Sequence, residues 1–444
     1  MAPEAGAGWV ILPRMKSESG IRPSEGLRHV RYEIRGRLAR RAHELERQGY
    51  EIVSLNIGNP RAFGLRTPEA MRLAMIENLA EAEGYCHQKG IFPAREAVVM
   101  QQQERGVAGV TAEEVFIGNG VSELIDLTLR ALLNEDDEVL VPSPDYPLWT
   151  AAVTLNRGRA VHYPCRPEHG FVPDPDELAS LVTPQTRAIV IINPNNPTGA
   201  VYPRSVLEAL ARLAERHRLV VFADEIYDQM TYEGAQFVPM ATLVHETLCA
   251  TLSGLSKVYR ACGYRVGWAV FSGRTQQAAE YLHALELLAS LRLCSNVTAQ
   301  WAVQTALGGH QSVRELTAPG GRLYESRAAI LAAVQRSRFL TLAPPQGSMY
   351  AFVGVNPMVL PDFDDQRFAL DLLEHKHVLI APGVSFNVPY RNHVRLTNLP
   401  DAATLGAVFE RIEELLAGYA ALPRERSARD SVVRSVTRSA SRPR

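Results

Sequence analysis

The chain has 444 residues, 46% hydrophobic and 21% charged, which is too apolar for disorder and long enough for two or three domains around sizeable cores. Its 47 basic and 48 acidic side chains leave a formal charge of −1, so nothing pulls it generally towards nucleic acid or anionic lipid. No apolar run approaches the roughly 20 residues that span a bilayer, and five scattered cysteines without a C-x-x-C pair argue against a disulfide framework or structural zinc and for a reducing cytoplasm.

Residues 1–27 mix Pro, Gly, Ser and charges without periodicity and read as a flexible arm. Their apolar run Trp9-Val10-Ile11-Leu12 is too short for a signal-peptide core. From Val30 to Gln48, Ile34, Leu38, Ala42 and Leu45 recur at three- and four-residue spacing, which predicts an amphipathic helix ended by Gly49. Ile117-Gly118-Asn119-Gly120-Val121-Ser122 is a glycine-rich lead-in to an apolar helix running to about Leu133. Glu138–Val141, Ala188–Ile192, Leu219–Ala223, Leu248–Leu252 and Gly267–Phe271 read as short buried strands. Between the second and third lies a predicted helix, Arg204–His217, with Val206, Leu207, Leu210 and Leu213 on one face. Strands alternating with helices predict an α/β domain whose mainly parallel sheet is covered on both faces.

After about Ser312 the pattern turns helical, then shorter and mixed from Phe339 onward, as expected of a smaller α/β domain. The predicted organisation is an arm at 1–27, a helix and loop at 28–60 joining the small domain, a large domain at 61–311, a small domain at 312–422 and a disordered Arg/Ser-rich tail at 423–444. The tail reads as a solvated end rather than a nucleic-acid-binding element. No internal repeat is visible.

In parallel sheets ligands bind beyond the carboxyl ends of the strands. After Ala188–Ile192 comes Asn193-Pro194-Asn195-Asn196-Pro197-Thr198-Gly199; after Leu219–Ala223 comes Asp224-Glu225-Ile226-Tyr227; after Leu248–Leu252 comes Ser253-Gly254-Leu255-Ser256-Lys257. A helix from Pro203 to His217 carries the chain back by ~22 Å, and the five-residue strand returns it by ~17 Å. Asn196 and Asp224 therefore end on the same rim, and Lys257 joins them if its strand is also parallel. Lysine is scarce, at positions 16, 89, 257 and 376, so few amines are candidates for chemistry.

An amide, a carboxylate, a phenol and an amine on one crevice match the needs of pyridoxal 5'-phosphate. Its aldehyde requires a lysine amine, its ring nitrogen a carboxylate, and its ring hydroxyl a phenol or amide. Its phosphate requires N–H groups at a helix N-terminus and an arginine. The Gly118–Ser122 run and Arg265, in Gly263-Tyr264-Arg265-Val266-Gly267, offer both. Each piece is an ordinary turn, cap or surface residue when taken alone; the conjunction in this order carries the reading.

The Asn193–Gly199 loop, the Asp224-x-x-Tyr227 pair and Ser256-Lys257 followed by Arg265-Val266-Gly267 together resemble the class I/II aminotransferases of fold type I, over roughly Val30 to Tyr419. Val30–Gly36, Leu55–Pro60, Gly84-Tyr85-Cys86, Pro144–Trp149 and Pro319–Tyr324 resemble the bacterial glutamate–pyruvate (alanine) branch. The resemblance implies Lys257 as the Schiff-base lysine, Asp224 at the pyridinium nitrogen, and Tyr227 and Asn196 at the ring hydroxyl. It implies Tyr146 stacked on the ring, with Gly120, Val121, Ser122, Ser256 and Arg265 around the phosphate. Tyr85 would reach across a homodimer to the neighbouring phosphate. Arg395 would clamp the substrate α-carboxylate, and Gly58 would line the substrate pocket on a closing loop.

Some positions depart from the pattern. Gly254 stands where many relatives carry a phosphate-binding serine, and Phe386–Arg391 and Leu396-Thr397-Asn398 differ from what the alanine branch leads one to expect. His375 and His377 read as a solvated segment rather than metal ligands, although a strand would face them one way. Arg292 reads either as a helix-surface arginine or as a residue that helps a dimeric partner bind a side-chain carboxylate. Cys86 and Cys262 read as packing residues. The implied activity is ping-pong transfer of an amino group between an L-amino acid of the alanine/glutamate type and a 2-oxo acid such as pyruvate or 2-oxoglutarate. Alternatives are β-elimination, decarboxylation or oxidation with the same cofactor, a different amino acid in specialised biosynthesis, or a regulatory protein whose basic tail binds nucleic acid.

Overall fold

The computed structural model of the chain describes residues 21–30 and 36–421. The tail at 423–444, residues 1–20 of the predicted arm and residues 31–35 of the predicted first helix lie outside the described residues. Glu25–His29, inside and just beyond the expected arm, form a 3-10 helix that touches the helix Leu148–Leu155. The first α-helix runs over Arg37–Arg47 and does not start at Val30, which is extended. Gly36 precedes it in a non-helical conformation, as suits a residue with the largest entropy cost in a helix. Gly49 follows with φ +96°, the left-handed region that lets the chain turn away.

After the two-residue strand Val53–Ser54 (β1), the chain builds a seven-stranded sheet. Its strands are Val115–Gly118 (β2), Glu138–Ser143 (β3), Arg159–Pro164 (β4), Thr186–Ile192 (β5), Val220–Asp224 (β6), Leu248–Gly254 (β7) and Gly267–Gly273 (β8). The spatial order is β2-β8-β7-β6-β5-β3-β4. From β4 through β7 neighbours are parallel, whereas β8 is antiparallel to both β7 and β2. The two strands absent from the sequence reading, β2 and β4, are the sheet's edges. The partly exposed β4 (Arg159, His162, Pro164) lacks the unbroken apolar run of its buried neighbours.

Alternation along β5 shows why the sheet is covered twice. Ile189 and Ile191 enter one core with Leu207, Leu210 and Leu213 of the helix Arg204–His217. Ala188, Val190 and Ile192 enter the other, with Leu124, Ile125 and Leu129 of the helix Val121–Leu132. Period-two side chains with both faces apolar require a helix on each side.

A third core lies towards the C-terminus. The strands Leu340–Thr341 (β9), Tyr350–Val355 (β10), Ala381–Pro382 (β12) and His393–Thr397 (β13) form an antiparallel sheet in the order β12-β13-β10-β9. Between them Val378–Leu379 (β11) pairs in parallel with β1, and Leu55 is buried among Val353, Leu396 and Ile412. The N-terminal segment thus returns to the C-terminal core, helped by Arg41, which donates to Glu374 at 2.5 and 2.9 Å.

His375 and His377 do not lie on a strand. They close the helix Asp365–Lys376, where His377 is left-handed (φ +57°) and rests its ring 4.5 Å from Tyr50. Among the described residues no three His, Cys, Asp or Glu side chains form a metal-binding group, and no helix is long and apolar enough to cross a membrane.

Candidate active site

Register settles which loops meet. Ile192 at the end of β5 pairs with Asp224 at the end of β6, and Asp224 pairs with Leu252 in β7. The segments leaving these parallel strands share one rim, and between that rim and residues 54–63 lies a cavity of about 1000 Å³. Gly58, Val121, Ser122, Tyr146, Asn196 and Asp224 line it, as do Tyr227, Ser256, Lys257, Arg265 and Arg395. Gly120 stands immediately behind Val121. Tyr85 is outside the cavity and 82% exposed.

Asp224 is fully buried, and its Oδ2 accepts the Trp149 indole N–H at 3.0 Å. Burial pushes its carboxyl up to about 6, opposed by the Trp149 bond, the Ile226 backbone N–H and the positive charge of Lys257. A buried carboxylate with one strong donor and a nearby ammonium is poised to balance a further cation at the floor of the cavity. Lys257 donates from Nζ to the Gly58 carbonyl at 2.9 Å, tying the rim to the N-terminal loop.

Arg395 is 1% exposed. Its Nη1 donates to Asn196 Oδ1 at 3.0 Å and its Nη2 to the Asn56 carbonyl, while Nε is buried without a partner. The Tyr350 and Phe386 rings stand 4.3 and 4.7 Å from the guanidinium carbon. A buried guanidinium with an orphaned N–H, and with no ion-pair partner among the described residues, has the hydrogen-bonding capacity to accept an anion of matching planarity.

The other end of the cavity is a cradle at a helix N-terminus. Gly120 caps the helix Val121–Leu132 at φ +86°, ψ 163°, a conformation open essentially to glycine alone. A Cβ at Gly120 would overlap the Arg265 guanidinium, and one at Gly267 would overlap the Val121 N–H. Arg265 donates to the Cys262 and Asn119 carbonyls at 2.9 and 3.2 Å yet remains exposed. The opening N–H groups of a helix lack intrahelical acceptors, here those before Glu123, whose N–H donates to the Gly120 carbonyl at 3.2 Å, so dipole and arginine favour an anion. Gly254 has no room for the expected serine: a Cβ there would press on the Val266 carbonyl and Gly267.

Tyr350 and Trp149 are site residues that the sequence reading did not single out. Tyr350 at the start of β10 accepts a hydrogen bond from Tyr227 at 3.4 Å. Burial works against ionising it, but the Lys257 and Arg395 charges together with the Tyr227 hydrogen bond hold its phenol below the ordinary value. Tyr227, similarly buried, is pushed well above it. A buried tryptophan normally finds a partner for its N–H, so Trp149 left a usable signal. Tyr350 left none, being 123 positions from Tyr227. Arg292 is not a free surface arginine: it donates to the Ile117 carbonyl at 3.0 Å and faces Glu123 at 3.4 Å. Cys262 lines the cavity, its thiol donating to the Ser256 carbonyl at 2.9 Å.

Comparison with known proteins places the chain in a family. The family model for aminotransferase class I and II matches residues 50–412. The glutamate-pyruvate aminotransferase AlaA of Escherichia coli K12 is 45% identical over 401 residues, 90% of this chain and 99% of that protein. The alanine aminotransferase of Mycobacterium tuberculosis H37Rv is 44% identical over 397 residues, 89% of this chain and 92% of that protein. Among solved structures, an aminotransferase from Escherichia coli superimposes with a TM-score of 0.89 at 45% identity, covering 90% of this chain and all of that one. An alanine aminotransferase from Pyrococcus furiosus gives 0.85 at 33% identity, covering 89% of this chain and all of that one.

Proposed function

The chain belongs to the class I and II aminotransferase family and has its fold type I, and from that premise we propose that it moves an amino group between alanine and 2-oxoglutarate, giving pyruvate and glutamate, in two half-reactions on pyridoxal 5'-phosphate. The observation that carries the reading is one cavity holding an amine (Lys257), a buried carboxylate (Asp224) and a buried guanidinium with an orphaned N–H (Arg395).

The donor set suits that cofactor. The Gly120–Ser122 helix start, Ser256 and Arg265 fit a phosphate, and a side chain at Gly120 would fill the cradle. Asp224 would face the ring nitrogen, Tyr146 would cover a ring face, and Asn196 and Tyr227 would serve the ring oxygen. When bound, the cofactor supplies an aldehyde for an amine and a protonated ring nitrogen that draws electrons from the substrate Cα.

The chain's own residues do the rest. Asp224, when ionised, would hold a proton on that nitrogen; the Trp149 N–H steadies the carboxylate. Arg395 orients the substrate by its α-carboxylate through two parallel hydrogen bonds that a lysine would not supply. Lys257, with its amine free, would take up the proton leaving the substrate Cα and hold it on Nζ. Gly58 keeps the loop over the cavity thin, since a side chain there would overlap the Tyr350 hydroxyl.

We also propose a homodimer in which Tyr85 reaches the neighbouring subunit's phosphate. Tyr85 is exposed, as are Leu79 and Phe92 on either side of it, and Gln88 donates to Glu286, next to the exposed Leu287. Five free thiols suit a cytoplasmic setting. Incubation with alanine and 2-oxoglutarate should yield pyruvate and glutamate in equal amounts with parallel-line kinetics. Ammonia or carbon dioxide in place of glutamate would overturn the assignment.

A further inference from the structure

Residues 383–388 carry Phe386 against Arg395, and the loop after β3 carries Tyr146 into the same cavity. A set of hydrogen bonds joins the two segments. The Asp145 backbone N–H donates to the Phe386 carbonyl at 3.1 Å. Asn387 Nδ2 donates to Asp145 Oδ1 at 2.9 Å, and Ser143 Oγ donates to the Asn387 carbonyl at 2.8 Å. The second Asp145 oxygen accepts from Thr150 Oγ1 at 2.5 Å, and that hydroxyl also meets His162 Nε2 at 3.0 Å. Asp145 is fully buried, 242 positions from Asn387, and lines no part of the cavity.

Burying a carboxyl is costly, and the bonds to Asn387 and Thr150 only partly offset it. A core packed for stability alone would use an apolar side chain here. The arrangement instead fixes two things at once: the position of Tyr146, next in the chain, and the turn at Asn387, left-handed at φ +55°, that presents Phe386 to the guanidinium.

We propose that Asp145 is a positioning residue which, through Asn387 and Phe386, fixes the Arg395 fork relative to Tyr146 and so sets the affinity for the substrate carboxylate. The proposal rests on the reading that Arg395 receives that carboxylate. Asp145 touches neither substrate nor cofactor; it acts by preventing the 383–388 segment from drifting away from the large sheet. Misplacing an oriented group by a fraction of an ångström is enough to weaken binding.

The test uses the full chain loaded with pyridoxal 5'-phosphate and two probes read by the initial, reversible absorbance change of the cofactor, before any turnover: 2-methylalanine, which lacks a Cα hydrogen, and isopropylamine, its counterpart with hydrogen in place of the carboxylate. Asp145→Ala and Asn387→Gly, the latter tolerating the left-handed turn, should each weaken 2-methylalanine about tenfold and change isopropylamine less than about twofold. The double variant should be no worse than either single. Asp145→Asn should recover the wild-type value, because its amide can accept from Asn387 and donate to Thr150. Unchanged 2-methylalanine binding in Asn387→Gly, or equal weakening of both probes, would overturn the proposal. Arg395→Lys separates the two readings: if it keeps the preference for the carboxylate probe, the assignment of Arg395 fails; if it loses that preference while Asp145→Ala and Asn387→Gly keep it, only the positioning role fails.

Discussion

Lys257 Nζ and the Gly58 carbonyl, 199 positions apart, are joined by a 2.9 Å hydrogen bond that closes the cavity between the central sheet and the N-terminal loop. One partner bears the only lysine amine among the cavity's lining residues, and the other is a backbone group on a segment whose neighbours pack in the C-terminal core.

Replacing Lys257 by alanine should abolish covalent attachment of the cofactor and lower turnover by about 10²–10⁴-fold, the usual loss on removing a positioned base. Lys89→Ala should keep both, because Lys89 is turned away into ion pairs with Glu113 and Glu286. Borohydride reduction followed by peptide mass analysis decides: label on any peptide other than that of Lys257 is the failing result.

Tyr350→Phe keeps the ring against Arg395 and removes only the hydroxyl that accepts from Tyr227. Loss of one hydrogen bond corresponds to about a three- to tenfold drop in turnover. The absorbance of the loaded protein should also titrate at a different pH from wild type, since Tyr227 loses its acceptor. An unchanged titration would remove Tyr350 from the site's electrostatics.

A methyl group at Gly58 would overlap the Tyr350 hydroxyl and Met349 Sδ. Gly58→Ala should therefore raise the KM for alanine by about tenfold or more, with the melting temperature lowered by only a few degrees as the buried Tyr350 and Met349 side chains shift to admit the methyl group. Steady-state kinetics beside a thermal melt distinguishes this from general destabilisation.

Burial raises Asp145 to about 7 and Glu225 to about 8. In the unfolded chain both release their protons near pH 4, so between about 4 and 8 the folded state holds protons that the unfolded state has lost. Stability is then greatest at low pH in this window and falls as pH rises through 7 and 8, by up to about 1.4 kcal/mol per pH unit for each such proton. His393, lowered by burial to about 4, acts oppositely, but only below about 6.5. The cofactor-free protein should thus melt at progressively lower temperature from pH 6.5 to 8.5, and Glu225→Gln, which still accepts the Met240 N–H, should flatten the slope. A melting temperature rising with pH over this range would contradict the argument.

How far the sequence could be read depended on where each residue's partners lie. The strands β3, β5, β6 and β7 were visible because burial on both faces leaves apolar runs. The meeting of Asn196 with Asp224 followed from helix and strand lengths, and the register of Ile192 with Asp224 agrees with it. The edges β2 and β4 are not visible in the sequence, and apolar spacing overstates the first helix because it continues through Gly36 while the helical backbone does not. Tyr350, Asn387 and Asp145 carried no local signal, since each is defined by a partner more than a hundred positions away.

Sequence alone determined which chemistry was at hand: scarce lysine, the Asp224-x-x-Tyr227 spacing, a glycine lead-in to a helix and a run of strands that must end together. Those features are local, fixed by backbone geometry and side-chain type over a few residues. Tertiary structure alone decided how Arg395 is braced, what Trp149 does for Asp224 and which carboxyls lie deep enough to hold protons near neutrality. Burial, dielectric and the alignment of distant hydrogen-bonding groups exist only once separate segments of the chain are brought into contact.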